Sequence, residues 1–152
     1  MPLTDLLAAH AVLPALKAKS KKQALQELAA RAAELCGGHE REIFETLLHR
    51  ERLGSTGIGQ GVAIPHGKLP SLGRLVGLFA RLEKPIDFDA LDGQPVDLIF
   101  LLLAPEGAGA DHLKALARIA RLLRDEQTAV QLRAARDETA LRSLLTAPAA
   151  AA

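Results

Sequence analysis

The chain has 152 residues, with 49% hydrophobic and 24% charged side chains, a formal net charge of +1 and one cysteine, Cys36. That length suits one domain with a sound core, and the near-neutral charge gives no global pull toward nucleic acid or an anionic membrane. The lone cysteine excludes an internal disulfide framework and fits a reducing compartment.

In chain order, residues 11–16 are short and apolar and are expected as an edge strand that tolerates Pro14. Ser20 suits the N-cap of a helix through Cys36, with Leu25, Leu28, Ala32 and Leu35 on one face and Gly37-Gly38 as its stop. A second helix is expected from His39 to Leu53, with Ile43, Leu47 and Leu48 at helical spacing. A glycine-rich loop follows from Gly54 and leads into a short strand at Val62–Ile64. Residues 74–82 alternate, which predicts a half-buried strand carrying Val76, Leu78, Ala80 and Leu82 on one side, and Lys84-Pro85 reads as a break. Residues 96–103 are almost continuously apolar, as in a strand covered on both faces. After a loop at 105–109, Asp111-His112 opens a helix carrying Leu113, Leu116, Ala120 and Leu123. One or two further helices are expected over 125–145. The domain is assigned to residues 1–146, with a disordered Ala/Pro tail at 147–152. The expected fold is an α/β single-domain sandwich, a mixed β-sheet flanked by helices on both faces.

Four phenylalanines, Phe44, Phe79, Phe88 and Phe100, are the whole aromatic content, too few rings for single-stranded nucleic-acid stacking platforms. No apolar run approaches a membrane span, and residues 1–10 lack a signal peptide's layout. A cytoplasmic setting follows, with no nucleic-acid partner and no membrane insertion.

The distinctive stretch is Gly54-Ser55-Thr56-Gly57-Ile58-Gly59-Gln60-Gly61-Val62-Ala63-Ile64-Pro65-His66-Gly67-Lys68. Its glycines permit close backbone approach and positive φ, Pro65 fixes φ before the imidazole, and Gly67 is expected to leave open space after it. A Walker A loop needs four residues between its first glycine and Gly-Lys, then Ser or Thr; here five separate Gly61 from Gly67, and Leu69 follows Lys68. Gly57, Gly59 and Gly61 lack the Rossmann spacing and follow a helix. Five histidines, at 10, 39, 49, 66 and 112, form no HExxH pair and have no cysteine beside them. No metal or organic cofactor is expected, although a zinc site from His66, His112 and an acid stays open at this point.

The remaining reading makes His66 a nucleophile. A neutral imidazole accepts a phosphoryl group well, and the protein then supplies positioning and charge stabilisation. Ser55, Thr56 and the loop amides, Gly57 among them, are candidate donors to phosphoryl oxygens. Arg50 offers a forked donor, Lys68 adds positive charge, and His112 lies where a helix dipole favours anions.

The run from Gly54 to Lys68, with its Ile-Pro-His-Gly-Lys ending, resembles the IIA proteins of the bacterial phosphoenolpyruvate-dependent phosphotransferase system. The resemblance is to the fructose/mannitol type and in particular to its nitrogen-related regulatory branch. It continues through Lys84 to Leu98 and reaches Asp111-His112-Leu113. It implies a phosphocarrier in which His66 accepts a phosphoryl group on Nε2 from the phosphohistidine of an HPr-like protein. It also implies that His112 and Arg50 help to hold the transferring group, and that phosphorylation governs binding to a regulatory target. The alternatives are a sugar-transport IIA that passes phosphate to a IIB cysteine, and a non-catalytic module of the same fold. Leu53, Ile58, Val62 and Leu113 are expected to form the docking patch around His66, apolar with a polar rim.

Overall fold

Residues 98–104 carry no polar side chain, and the structure places them at the centre of the sheet. The computed structural model describes residues 3–147; the expected tail beyond Ala147 lies outside the described residues. Strands β1 (Val12–Leu16), β2 (Gly57–Gly59), β3 (Val62–Ala63), β4 (His66–Leu69), β5 (Val76–Ile86) and β6 (Val96–Pro105) form one mixed sheet. Its order is β1-β5-β6-β3-β2, with β4 also paired to β6. Helices α1 (Lys21–Cys36), α2 (Glu40–Leu53), α3 (Ala110–Arg124), α4 (Glu126–Ala134) and α5 (Glu138–Thr146) complete the expected sandwich.

Successive strand residues point to opposite faces, so the unbroken burial of Leu98 to Ala104 means that both faces of β6 are covered. The same holds for β5, where Val76 to Ala80 are all buried. The expectation of a half-buried strand is therefore corrected. The alternation was real, but the second face carries Gly77 and Phe79: the Phe79 ring meets Phe100 edge-on at 6.4 Å, and a Cβ at Gly77 would lie 3.2 Å from Leu6 Cβ. Burying two such side chains contributes about 1.5–3 kcal/mol each. Lys84-Pro85 is likewise no break. β5 runs through it to Ile86 with a register shift between Arg81 and Ile86, the kind of irregularity that accommodates a proline lacking its N–H.

Helix boundaries follow the local signals. The Ser20 side chain accepts from Gln23 N at 3.1 Å to cap α1, and Gly37 ends it at φ 69°. The edge strand β1 tolerates Pro14 as expected, and the Pro14 carbonyl accepts from Arg81 Nη1 at 3.2 Å. Arg133 of α4 reaches back to Asp97 at 2.9 Å and to the Gln60 carbonyl at 2.7 Å, tying the C-terminal helices to the β2–β3 turn.

β3 and β4 run along the same side of β6 in one register. Val62 faces Leu98, and His66 faces Leu102, four residues on along both strands. Ile64-Pro65 interrupts this path, and the Leu102 amide donates to the Pro65 carbonyl at 3.0 Å. Gly67 then sits under α2: a Cβ there would lie 2.7 Å from Thr46 Cγ2. Gly67→Ala is expected to destabilise the fold by about 1–3 kcal/mol in urea denaturation, because overpacking forces helix and strand apart. Adding Thr46→Ser, which removes the obstructing methyl, should recover most of the loss; no recovery would mean that the contact is not the cause.

Candidate functional site

His66 opens β4 directly after the proline interruption. Its Nδ1 lies 2.8 Å from the Ile64 carbonyl oxygen. A carbonyl can only accept, so Nδ1 carries the proton, and in the neutral ring Nε2 holds the lone pair. Burial is the largest influence on the ring and lowers its pKa, with the Arg50 guanidinium acting in the same direction; the Ile64 bond and the Glu51 charge oppose them. The balance favours the neutral, nucleophilic form.

His112 stands in the first turn of α3, and its ring centroid is 5.7 Å from that of His66. It is 6% exposed, and its Nε2 is buried without a hydrogen-bond partner among the described residues. A buried polar atom left unpaired costs about 1–3 kcal/mol, so this nitrogen has unused capacity to bond a ligand. Burial first, then the charges of His66 and Lys68, lower the His112 pKa. Lys68 lies two residues along β4, so its exposed side chain leaves the same strand face as His66, opposite the Gly67 face that α2 covers.

Arg50, in the last turn of α2, donates from Nη1 to the Gly54 carbonyl at 2.9 Å, which caps the helix end. The structure therefore brings His66, His112, Lys68 and Arg50 to one end of the sheet. Ser55 and Thr56 are a different matter. The Ser55 hydroxyl donates to the Phe88 carbonyl at 2.7 Å and accepts from Gly57 N at 3.0 Å. The buried Thr56 gives both its hydroxyl and its amide to Glu51. In this structure the protons expected to serve as phosphate-side donors are committed to shaping the loop.

The glycines, too, are spent on the protein itself. A Cβ at Gly57 would lie 2.8 Å from Ala90 Cβ, and one at Gly61 2.5 Å from Arg133 Nη2. Gln60 and Gly61 both have positive φ, 59° and 79°, as a two-residue type I′ connection between β2 and β3 needs. The open space expected after His66 is occupied by Thr46 of α2. Of the docking patch, Leu53 and Leu113 are 72% and 69% exposed. Ile58 is half-buried, and Val62 is removed from the patch because the sheet covers it completely.

Sequence reasoning missed Glu51, which stands between Arg50 and Arg52. It is 7% exposed and continues the inward face of Ile43 and Leu47 at four-residue spacing, a signal that was present in the helical periodicity. Among the described residues, no group of three or more His, Cys, Asp or Glu side chains is placed to hold a metal ion, so the zinc alternative finds no third ligand. Also among them, no helix is long and apolar enough to cross a membrane.

Residues 5–147 match the family model described as phosphoenolpyruvate-dependent sugar phosphotransferase system, EIIA 2. The chain belongs to this EIIA 2 family. A nitrogen regulatory protein of Bradyrhizobium diazoefficiens is 70% identical over 152 residues, covering 100% of this chain and 99% of the relative. The crystal structure of nitrogen regulatory protein IIA-Ntr from Neisseria meningitidis superposes with a TM-score of 0.90 at 35% identity, over 95% of this chain and 99% of that one. The complex of enzyme IIA mannitol and phosphorylated enzyme IIB mannitol from Escherichia coli gives a TM-score of 0.79 at 20% identity, over 93% of this chain and 98% of that chain, and speaks for the fold alone. Family membership makes the chain a phosphoryl-transfer component of the carrier kind.

In this EIIA 2 chain both site histidines should titrate, by NMR, below the ordinary histidine midpoint of about 6.5. Between the lowered and the ordinary midpoints the unfolded chain binds more protons than the folded one. Stability from these rings is thus full above about pH 6.5 and is lost as pH falls toward their folded midpoints. A midpoint at or above the ordinary value for either ring would contradict the burial argument.

Proposed function

We propose that the chain is a phosphocarrier of the nitrogen-regulatory branch, with His66 as its phosphoacceptor. Nε2 attacks the phosphorus held on the phosphohistidine of an HPr-like donor. The P–Nε2 bond forms as the old P–N bond breaks, and that bond's electron pair returns to the donor's ring. No proton has to leave His66. The observation that carries this reading is the His66 Nδ1–H bond to the Ile64 carbonyl, which leaves Nε2 as the free nucleophile.

The unpaired His112 Nε2, 6% exposed as a residue, supports a role in holding a phosphoryl oxygen, and burial keeps that ring from competing as a charged species. Arg50 supplies a charged fork once it exchanges its Gly54 contact, and Lys68 screens the incoming charge. Ser55, Thr56 and Gly57 serve the transfer by fixing the loop rather than by touching phosphate. The transfer calls for no metal or organic cofactor, and its proposed setting is the cytoplasm. Leu53 at the end of α2 and Leu113 beside His112 in α3, both exposed, are the proposed contacts for the donor and then for a downstream regulatory protein. The nitrogen-regulatory assignment is supported by 70% identity along the whole chain to a protein of that name.

Incubation with phosphoenolpyruvate, enzyme I and an HPr-like protein should add one phosphate per chain by intact mass, and His66→Ala should add none. An acid-labile phosphate on the alanine variant would overturn the assignment. His112→Ala and Arg50→Met are expected to keep the acceptor and slow transfer on the order of a hundred-fold, the scale of one lost charge-stabilising donor. Onward transfer to the cysteine of a fructose- or mannitol-type IIB would favour the transport role. Failure to accept phosphate from any HPr-like donor would favour a binding module.

A further inference from the structure

Glu51 occupies a core position on α2, below Ile43 and Leu47, yet it is a carboxylate. Three groups converge on it. Thr56 donates its hydroxyl to Oε1 and its amide to both oxygens, at 3.3 and 3.2 Å. Lys21 Nζ lies 2.7 Å from Oε2. Lys21 itself sits in the first turn of α1, where the helix dipole disfavours a cation, and it lies over the Phe88 ring at 5.0 Å. Its ammonium also lies 3.5 Å from the exposed Asp89 carboxylate, and the buried Glu51 at 2.7 Å is the nearer counter-ion.

The path continues from Glu51 to the site. The Thr56 carbonyl accepts from Ile64 N at 3.0 Å, and the Ile64 carbonyl accepts from His66 Nδ1 at 2.8 Å. Thr56 and Ile64 are 4% and 5% exposed, so water does not compete for these bonds. Three residue-to-residue links therefore lead from the carboxylate to the phosphoacceptor ring. We propose that Glu51 is a positioning residue for phosphoryl acceptance, holding His66 in its Nδ1–H form and orientation through Thr56 and Ile64, with Lys21 as counter-ion. The inference rests on the reading of His66 as phosphoacceptor.

The ionisable groups facing the two rings are Arg50 and Glu51 from α2, His112 from α3 and Lys68 on β4. Of these, Glu51 is the one whose charge favours protonation of His66. Its removal should lower the His66 midpoint further. The acid limb of the rate profile, where transfer rises as His66 loses its proton, should then move to lower pH.

Glu51→Gln keeps an oxygen for Thr56 and removes the charge, whereas Thr56→Val keeps the charge and removes the hydroxyl link. Two readouts separate positioning from general stabilisation: the ring tautomer of neutral His66 by long-range 1H–15N NMR, and the pH profile of phosphate acceptance. Glu51→Gln should shift the acid limb to lower pH and reduce the plateau rate about ten-fold, within the range that misplacement of a reacting group costs. Thr56→Val should leave the limb in place, raise the Nε2–H tautomer and slow the plateau. If Glu51→Gln unfolds through the stranded lysine, the double variant Lys21→Met/Glu51→Gln removes both charges; their opposing effects shrink the limb shift, and the lower plateau and raised Nε2–H tautomer then carry the test. An unchanged tautomer in every variant, together with an unmoved acid limb on loss of the Glu51 charge, would reduce Glu51 to a fold-stabilising group. The tautomer measurement needs no phosphate donor. A wild-type chain that accepts no phosphate would sink the phosphocarrier reading while the NMR still decides what holds the ring.

Discussion

The break at Ile64-Pro65 is the constraint on which the site depends. β3 and β4 follow one register along β6, and an uninterrupted strand would carry the ladder straight through residues 64 and 65. Proline removes one donor at the point where the chain must instead present a ring. The path rejoins β6 at His66, four residues after Val62, so the half-buried imidazole inherits the rigidity of the sheet centre while keeping one side open. A side chain on a strand paired to the sheet centre is placed far more tightly than one on a free loop, and in the phosphocarrier reading positioning is most of what the transfer asks of the protein.

Around that break the end of α2 performs two tasks with adjacent residues. Arg50 turns outward to the Gly54 carbonyl, and Glu51 turns inward to Thr56 and Lys21. Neighbours on a helix diverge by about 100°, so one cation can stay available at the surface while its acidic neighbour is sealed in the core. Their charges act on His66 in opposite directions, Arg50 lowering its basicity and Glu51 raising it. The ring is thus kept neutral chiefly by burial, with two charges in near opposition around it.

Much of this was legible in the chain itself. Helix limits followed from Ser20 and Gly37, and the covered central strand from the apolar run at 96–103. What escaped depended on partners distant in sequence. Alternation in β5 predicts one buried face, and only the packing of Leu6 and Phe100 against Gly77 and Phe79 shows that the second is covered too. The glycines announced close approach correctly but not to what: Ala90, Arg133 and Thr46 lie 33, 72 and 21 positions from the glycines they crowd. Hydroxyls in a glycine loop likewise look free until the Phe88 carbonyl and the Glu51 carboxylate are seen to take them. Local sequence reports a residue's capacity to bond, and tertiary structure decides where that capacity is used.

The surroundings of His66 also bear on how a phosphoryl group there would change what the surface can bind. Leu53 and Leu113 offer apolar area beside the site, and such area docks best against a partner that excludes water. In the phosphocarrier reading, phosphorylation sets about −1.5 to −2 charges in the same place, and a partner closing over it must either desolvate that charge or pair it. An apolar partner surface would therefore favour the unphosphorylated form. A surface bearing a cation or a helix N-terminus would favour the phosphorylated one. Arg50, Lys68 and His112 moderate this contrast, because each phosphoryl oxygen they satisfy is one the partner need not. The sign of the regulation is thus set by the chemistry of the partner's centre. Its size is set by how completely these three side chains have already neutralised the phosphate.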